Sequence, residues 1–160
     1  MNFSDDRSFG DNVDQVNLDV TKEDNVQAFF SNLDVSDSES LGLLNGAGII
    51  FNRPLVNILD KKEPVHSYQD FDKVIQLNLG GSFLMGGHFS NKCIKAKKKA
   101  CIINVSSVTA SGNVGQTAYS SSKAAVEAMA RVWAKELGYK VGNFERRPIE
   151  GLVQYHINNL

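Results

Sequence analysis

The spacing of hydrophobic residues changes along the chain, and each change marks a predicted strand or helix. Apolar and polar residues alternate in Asp14–Thr21, which predicts a short strand, and Thr21 is placed to cap the helix that follows. Between Lys22 and Leu33 the apolar residues recur every three or four positions, which predicts a helix with one buried face. The first predicted elements are therefore a strand followed by a helix.

The same order repeats in the middle of the chain. Ser40–Ile50 is an apolar run that ends in a glycine-punctuated turn, so we expect a buried strand that opens into a loop. Ser67, with Asp70 three residues later, resembles a capping pair and starts a long helix. Glycines inside a helix cost about 1 kcal/mol each relative to alanine. We therefore expect close packing against a neighbouring backbone at the four that this helix contains, Gly80, Gly81, Gly86 and Gly87.

A third strand and helix complete the pattern. The β-branched run Ala100–Ser107 predicts a fully buried strand with a polar carboxyl end. A glycine-rich loop then leads into an alanine-rich helix from Thr117 to Leu137, with Gly138 as its C-cap. Strands that alternate with helices predict an α/β fold with a parallel sheet, in which ligands bind beyond the carboxyl ends of the strands.

Residues 139–160 form a tail without a clear period. Arg146–Pro148 has the composition of a turn, and Gly151–Ile157 fits either a short strand or a short helix. A chain of 160 residues is long enough for one domain with a real core and short for two. We therefore expect one domain over residues 1–160 that ends in a divergent tail.

The composition narrows the choice of partners. With a net charge of -1 at pH 7 the chain has no overall basic field, so we expect a small-molecule ligand and not a nucleic acid. No segment approaches the ~18–20 apolar residues of a membrane span, and no targeting segment is visible. Cys93 and Cys101 lack metal-ligand spacing, so we expect no metal site and a reducing intracellular compartment, cytoplasmic or mitochondrial. We interpret Lys95–Lys99 as a solvated helix end and His66 as a surface residue.

The best candidates for catalysis lie at the start of the last helix. Tyr119 and Lys123 are four residues apart, which places a phenol and an ammonium on one helical face. A phenol is a poor base at neutral pH, but a fixed cation beside it stabilises the phenolate and makes tyrosine a usable general acid and base. The preceding strand ends in Ser106 and Ser107, and a hydroxyl there can stabilise negative charge on a substrate oxygen. Asn78 is predicted at the same edge of the sheet.

In this order the residues resemble the short-chain dehydrogenase/reductase family over roughly 16–138. Tyr119 and Lys123 match the family's Y-x-x-x-K motif, and "INVSS" matches the strand that carries its catalytic serine. Asn78 matches the helix asparagine of the family's N-x-x-G segment, and "NGAG", Asn45–Gly48, matches its N-N-A-G turn. Asp19 in "LDVT" matches the aspartate that contacts the adenine of the cofactor.

The resemblance implies a Rossmann-type fold, a doubly wound parallel sheet, that binds NAD or NADP. It implies an oxidoreductase that interconverts a secondary alcohol and a ketone by hydride transfer. The residues that it assigns to the cofactor are Asp19, Val20, Asn45, Gly46, Ala47, Gly48, Tyr119 and Lys123.

The resemblance also implies four catalytic roles. Tyr119 transfers the proton, Lys123 stabilises its phenolate and holds the nicotinamide ribose, and Asn78 holds a water that links Lys123 to solvent. Serine orients the substrate oxygen. We choose Ser107 because it ends "INVSS", on the assumption of a one-residue deletion in the following loop, whereas the family's usual spacing to the tyrosine favours Ser106.

The chain departs from the family at its ends. No G-x-x-x-G-x-G turn precedes Asp14, where Gly10 is the only glycine, so we expect weakened pyrophosphate binding. The residue that separates NAD from NADP is not recognisable. The chain is also shorter than the ~250 residues common for such single domains. We therefore expect a truncated form, incomplete at both ends.

The substrate and assembly are expectations from the same resemblance. The loop Asn52–Phe71 resembles the insertion of the 3-hydroxyacyl-CoA dehydrogenase type 2 group, and Gly112–Ala124 is equally similar to ketoacyl-carrier-protein reductases and 17β-hydroxysteroid dehydrogenases. These similarities suggest a hydroxyacyl thioester or a hydroxysteroid as substrate. Family members associate through the long helices that contain Asn78 and Tyr119 here, so a homo-oligomer is expected. The alternative is a non-catalytic subunit that pairs with an intact relative.

Overall fold

From α1 to α4 the strands and helices alternate along the chain, as the sequence predicted. The computed structural model describes residues 13–141, 146–149 and 152–157. In chain order these form α1 (Glu23–Asn32), β1 (Ser40–Asn45), α2 (Tyr68–Ile75), α3 (Ser82–Ala96), β2 (Lys99–Val105), α4 (Thr117–Val141), β3 (Arg146–Ile149) and β4 (Leu152–Ile157). A π-helical turn, Gln76–Gly81, joins α2 to α3, and a 3-10 turn, Val108–Ser111, follows β2.

The described strands form one sheet in the order β1-β2-β4-β3. β1 and β2 are parallel, whereas β4 runs antiparallel to both β2 and β3. The prediction of a parallel sheet is right for β1 and β2, and no strand direction was predicted for the tail. Only residues 150 and 151 separate β3 from β4, and so short a connection permits only an antiparallel pair. The turn predicted at Arg146–Pro148 is wrong, because these residues pair with β4.

The core lies on one face of the sheet. Leu41 and Leu43 of β1 are opposite Ala100 and Ile102 of β2, and this face packs against the apolar sides of α1 and α3. The fully buried members of that core include Val26, Phe30, Phe89 and Cys93. Removing such side chains from water contributes roughly 1.5–3 kcal/mol each.

The other face of the sheet is more open than predicted. Gly42 and Leu44 of β1 are exposed, and Cys101 and Ile103 of β2 are half-buried. We predicted a buried strand for β1 and a fully buried one for β2. Both predictions are wrong for this face, because in the part of the chain that the structure describes the close apolar packing covers the Leu43 face.

The segment before α1 is not the predicted strand. Residues 13–19 lie outside any strand, and Thr21 does not cap α1, whose N-cap position is taken by Lys22. Thr21 instead donates hydrogen bonds from its backbone N and its Oγ1 to Asp19 Oδ1, at 3.0 and 2.7 Å. An alternating pattern forms a strand only when a neighbouring strand pairs with it, and among the described residues none pairs with this segment.

The long helix begins as predicted. Ser67 Oγ accepts a hydrogen bond from the backbone N of Asp70, and α2 starts at Tyr68. Two of its glycines lie in close packing, as expected. A Cβ at Gly81 would lie 2.8 Å from Val20 Cγ2 and 3.6 Å from the backbone O of Val20, whereas one at Gly86 would overlap the Trp133 side chain instead of a backbone. A Cβ at Gly80 would come no closer than 3.9 Å to Ile75 O, and Gly87 has open space beside it.

Three local predictions need correction or completion. Gly138 does not end the last helix, because α4 continues to Val141 and tolerates the glycine. His66 is buried, not at the surface, with its ring centroid 5.5 Å from that of Phe51. The lysine-rich segment does lie at a helix end, because α3 ends at Ala96 and Lys97 is its C-cap. Lys98 Nζ donates a 2.8 Å hydrogen bond to Ser36 O.

Within the described part of the chain, no helix is long and apolar enough to cross a bilayer.

Candidate active site

Tyr119 and Lys123 lie next to each other in the first turns of α4. The Lys123 Nζ atom is 5.7 Å from the centroid of the Tyr119 ring, within the range of a cation–π contact. Tyr119 is half-buried, so one side of its ring is accessible. The predicted pairing of a phenol with an ammonium on one helical face is present in the structure.

Lys123 is buried without a counterion. Its side chain is 5% exposed, and its Nζ donates a 2.8 Å hydrogen bond to the backbone O of Val105, the last residue of β2. It forms no salt bridge with any carboxylate in the described residues. Burial therefore lowers the pKa of Lys123, because the charged form loses hydration that no anion replaces.

Asn78 connects the long helix to the loop after β1. Its Oδ1 accepts from Ile49 N at 2.8 Å, and its Nδ2 donates to Ile49 O at 2.9 Å and to Ser122 Oγ at 3.1 Å. Asn78 is 1% exposed, so these three bonds satisfy most of a buried amide. The π-helical turn places this amide beside α4, where it contacts Ser122, the residue before Lys123.

Gly48 completes the contact between the loop and the helices. A Cβ at Gly48 would lie 3.1 Å from Asn78 Oδ1 and 3.7 Å from Lys123 Nζ. Glycine at this position therefore lets the backbone approach both side chains. Gly46, Ala47 and Gly48 are all exposed, so the face of this loop remains accessible to a ligand.

Asn45 is buried at the end of β1 and pairs with a residue that sequence reasoning missed. Its Nδ2 donates a 2.8 Å hydrogen bond to Asn104 Oδ1 on β2. The two asparagines are directly opposite in the parallel register, and Asn104 is fully buried. A single polar residue inside the apolar run "CIINV" was the signal that could have identified Asn104.

The two candidate serines have different environments. Ser106 is buried, and its Oγ donates a 2.6 Å hydrogen bond to Glu127 Oε1 on α4. Ser107 is half-buried and caps the 3-10 turn, where its Oγ accepts from Thr109 N at 3.2 Å and lies 3.0 Å from Thr109 Oγ1. No hydrogen bond joins either serine to Tyr119 among the described residues, so their catalytic assignment remains a prediction.

Asp19 and Val20 lie in the turn before α1. The hydrogen bonds from Thr21 hold the pKa of the Asp19 carboxyl below its usual range. Val20 packs against Gly81, one helical turn after Asn78, and so connects this turn to the long helix. Asp19 itself is exposed, and among the described residues its side chain hydrogen-bonds only with Thr21.

The family model for short chain dehydrogenases matches residues 5–142, which include every residue of this site. The chain belongs to the short chain dehydrogenase family. This confirms the resemblance that the ordered motifs indicated and the Rossmann-type α/β fold that it implied.

Individual relatives agree with this assignment. The chain is 34% identical over 134 residues to sorbitol-6-phosphate 2-dehydrogenase of Klebsiella pneumoniae, a match that covers 81% of this chain and 49% of the relative. It is 36% identical over 132 residues to 3-hydroxyacyl-CoA dehydrogenase type-2 of Bos taurus, covering 74% of this chain and 47% of that protein. This chain thus spans about half the length of these relatives.

A solved structure also shares the fold. 4-Hydroxyisoleucine dehydrogenase complexed with NADH and succinate matches with a TM-score of 0.65 and 28% identity, over 78% of this chain and 55% of the other. Family membership and this NADH-bound neighbour support NAD or NADP as the cofactor.

The residues around Gly48 fit a bound nucleotide. Lys123 Nζ has one hydrogen-bond acceptor, Val105 O, so two of its three N–H donors remain for hydroxyl groups such as those of a ribose. The missing Cβ of Gly48 keeps the approach to that amine open. The glycine-rich pyrophosphate turn does not occur in these 160 residues, so Lys123, Gly48 and their neighbours supply only part of a dinucleotide site.

Proposed function

We propose that this chain carries the proton-transfer machinery of an NAD(P)-dependent oxidoreductase that interconverts a secondary alcohol and a ketone. The observation that carries the proposal is the buried Lys123 ammonium, 5.7 Å from the centroid of the Tyr119 ring and without a carboxylate partner in the described part of the chain. An ammonium in that position gains a counterion when the phenol loses its proton. The pair therefore favours the phenolate that general base catalysis requires.

In the oxidation direction, the Tyr119 phenolate takes the hydroxyl proton of the substrate while the carbon loses a hydride. A nicotinamide held by Lys123 and the Gly46–Gly48 loop would supply the hydride acceptor, and reduction of the ketone would reverse both transfers. Ser107 donates a hydrogen bond to the substrate oxygen as its charge changes. Asn78 holds the Ile49 backbone in place beside Lys123, and the water-holding role that the family implies for it is part of the proposal.

The apolar surroundings of the site support a hydroxyacyl thioester or hydroxysteroid substrate. Val108 follows Ser107 in the 3-10 turn that packs against α4, and its side chain is 85% exposed. Val114 in the next loop is 93% exposed. That loop is hydrogen-bonded to the loop after β1, because Arg53 N donates to Gly115 O at 2.7 Å. Ile49 and Ile50 are also exposed on the loop after β1. Apolar side chains around a polar centre suit a substrate with a large apolar part.

Turnover by a tyrosine variant tests the chemistry. The full chain is assayed with NAD and NADP against 3-hydroxyacyl-CoA and hydroxysteroid substrates, and Tyr119→Phe should lower kcat by a factor of ~10² or more. Tyr68→Phe is the matched control because Tyr68 is 76% exposed at the start of α2. Retained activity in Tyr119→Phe would reject the mechanism.

The substrate class is tested separately. Val108→Asp and Val114→Asp should raise KM for long acyl chains more than for short ones, because each introduces a charge beside an apolar ligand. Ile94→Asp, an exposed isoleucine near the end of α3, is the control. An equal effect on long and short acyl chains would contradict an apolar substrate while leaving the proton-transfer proposal intact.

A non-catalytic subunit that pairs with an intact relative is the second candidate. The long helices present exposed apolar side chains, Phe83 on α3 and Val132 on α4, which suit helix packing between chains or in a homo-oligomer. Titration with NADH and NADPH separates the candidates. Saturable binding of either nucleotide favours the enzyme, whereas no binding at millimolar concentration together with stable association with a full-length relative favours the subunit.

An intracellular compartment, cytoplasmic or mitochondrial, belongs to the same proposal. Cys93 is buried in the core, where burial raises the pKa of its thiol to about 11 and keeps it protonated. A thiol of this kind suits a reducing environment. Fractionation of cells that express the tagged chain tests the location, and recovery in the culture medium would contradict it.

A further inference from the structure

A cavity lies between α1 and α3. It has a volume of about 350 Å³, and its lining includes Lys92, Lys95, His88 and Asn91 from α3 and Gln27 from α1. No aspartate or glutamate lines it. The four α3 residues stand at positions i, i+3, i+4 and i+7, so they share one face of the helix, which lies toward α1.

We propose that this cavity is a binding site for a small phosphorylated anion, separate from the dehydrogenase site. Lys92 and Lys95 are like charges three residues apart on one helical face, an arrangement that is unfavourable without an anion between them. Neither forms a salt bridge among the described residues. Two ammonium groups with amide and imidazole donors beside them are the chemistry that binds phosphate oxygens.

One acidic neighbour competes for the site. Asp34 follows the end of α1, and its Oδ1 accepts a 2.9 Å hydrogen bond from Ser36 N. Hydrogen bonds from Ser36 hold the pKa of the Asp34 carboxyl low, and the charge of Lys92 contributes to the same direction. Asp34 is therefore ionised and partly neutralises Lys92, so an anion in the cavity must outcompete it.

The cavity lies at the opposite end of the long helix from the proton-transfer residues. Asn78 marks the active-site end, and α3 ends at Ala96, just before β2 begins at Lys99. Seventeen residues separate Asn78 from Lys95, which is roughly 25 Å along a helix. A ligand here would not compete with the substrate or the cofactor, and its binding does not depend on the proposed function.

Diphosphate binding to the full chain tests the proposal. Inorganic diphosphate is titrated in about 0.15 M salt, where screening suppresses unspecific attraction, with calorimetry and amide chemical shifts as the two measurements. We expect saturable binding with shifts confined to residues 27–31 and 88–95. Lys92→Met and Lys95→Met should each weaken binding about tenfold, because each removes a charge-assisted hydrogen bond but keeps the length of the side chain.

Two further variants sharpen the test. Lys99→Met removes an exposed lysine near the same end of α3 that does not line the cavity, and it should leave binding unchanged. Asp34→Asn keeps an acceptor for Ser36 but removes the competing charge, so it should tighten binding severalfold. Equal weakening by all three lysine variants, or no saturable binding to the unaltered chain, would overturn the proposal.

Discussion

Ser106 is held by Glu127, 21 residues later in the chain, through a 2.6 Å hydrogen bond from its Oγ to Glu127 Oε1. The other oxygen, Glu127 Oε2, lies 3.8 Å from Arg131 Nη1. The carboxylate therefore contacts both a residue of α4 and the serine that follows β2. This bond fixes the buried serine of the pair in a contact between strand and helix. Ser107 is half-buried, and the choice of Ser107 as the catalytic serine stays a prediction.

The two serines should therefore respond differently to alanine substitution. Ser106→Ala removes the bond to Glu127 and should lower the free energy of unfolding by about 1 kcal/mol with little change in kcat. Ser107→Ala should lower kcat by a factor of about 10² with little change in stability, because it removes a donor to the substrate oxygen. Urea unfolding and steady-state kinetics measure both quantities, and the opposite pattern would assign catalysis to Ser106.

A side chain at position 48 should lower stability and weaken cofactor binding. In Gly48→Ala the new Cβ lies 3.1 Å from Asn78 Oδ1, so the amide must move and its 2.8 Å bond to Ile49 N lengthens. We expect a loss of about 1 kcal/mol in unfolding free energy and weaker NADH binding. Gly42→Ala is the matched control, because no atom lies within 4 Å of its Cβ position and Gly42 lies in β1, outside the residues assigned to the cofactor. Equal effects of the two substitutions on NADH binding would contradict the role of Gly48.

Two neighbouring glycines of α3 should change stability in opposite directions. Gly86→Ala pushes a methyl group into the Trp133 ring and should cost about 1–3 kcal/mol. Gly87→Ala has open space beside it and should gain about 0.5–1 kcal/mol, because alanine is the better helix former. Thermal unfolding of both variants measures the difference. Trp133→Leu should recover part of the loss in Gly86→Ala, and no recovery would indicate that the clash lies elsewhere.

Lys123 should make stability depend on alkaline pH. Its pKa is lowered in the folded chain by burial, whereas that of an unfolded lysine is about 10.4. Between these two values the unfolded chain binds more protons, so the free energy of unfolding rises as pH rises through that window. Lys123→Met should flatten the rise. Urea unfolding from about pH 8 to about 10.5 measures the slope, and Lys135→Met, an exposed lysine of α4, should keep it.

Local patterns in the sequence predicted most of the helices and both parallel strands. The capping bond at Ser67 and the pairing of Tyr119 with Lys123 were predictable because each depends on residues three or four positions apart. Asp14–Thr21 failed for the opposite reason. Its alternation of apolar and polar residues is typical of a strand. A strand forms, however, only when another strand pairs with it, and no strand of the described sheet lies beside this segment.

The contacts that hold the candidate site together were less predictable. Asn45 meets Asn104 across 59 residues, and Asn78 meets Ser122 across 44, so both pairs depend on the sheet register and on how the helices pack. The residues of the site were identified from their motifs. Their partners, including Ile49 and Glu127, became visible only with the fold.

The π-helical turn at Gln76–Gly81 determines what one missing residue would do to this protein. A π turn holds about one residue more than an α turn, so deleting a single residue there would let the whole segment wind as an unbroken α-helix. The π turn absorbs that residue within one turn, so the helices on either side would keep their relative orientation and Phe89 would stay in the core. The damage would be confined to the turn itself, which carries Asn78 and its hydrogen bonds to Ile49 and Ser122. One deletion would thus separate the candidate site from the stability of the interior.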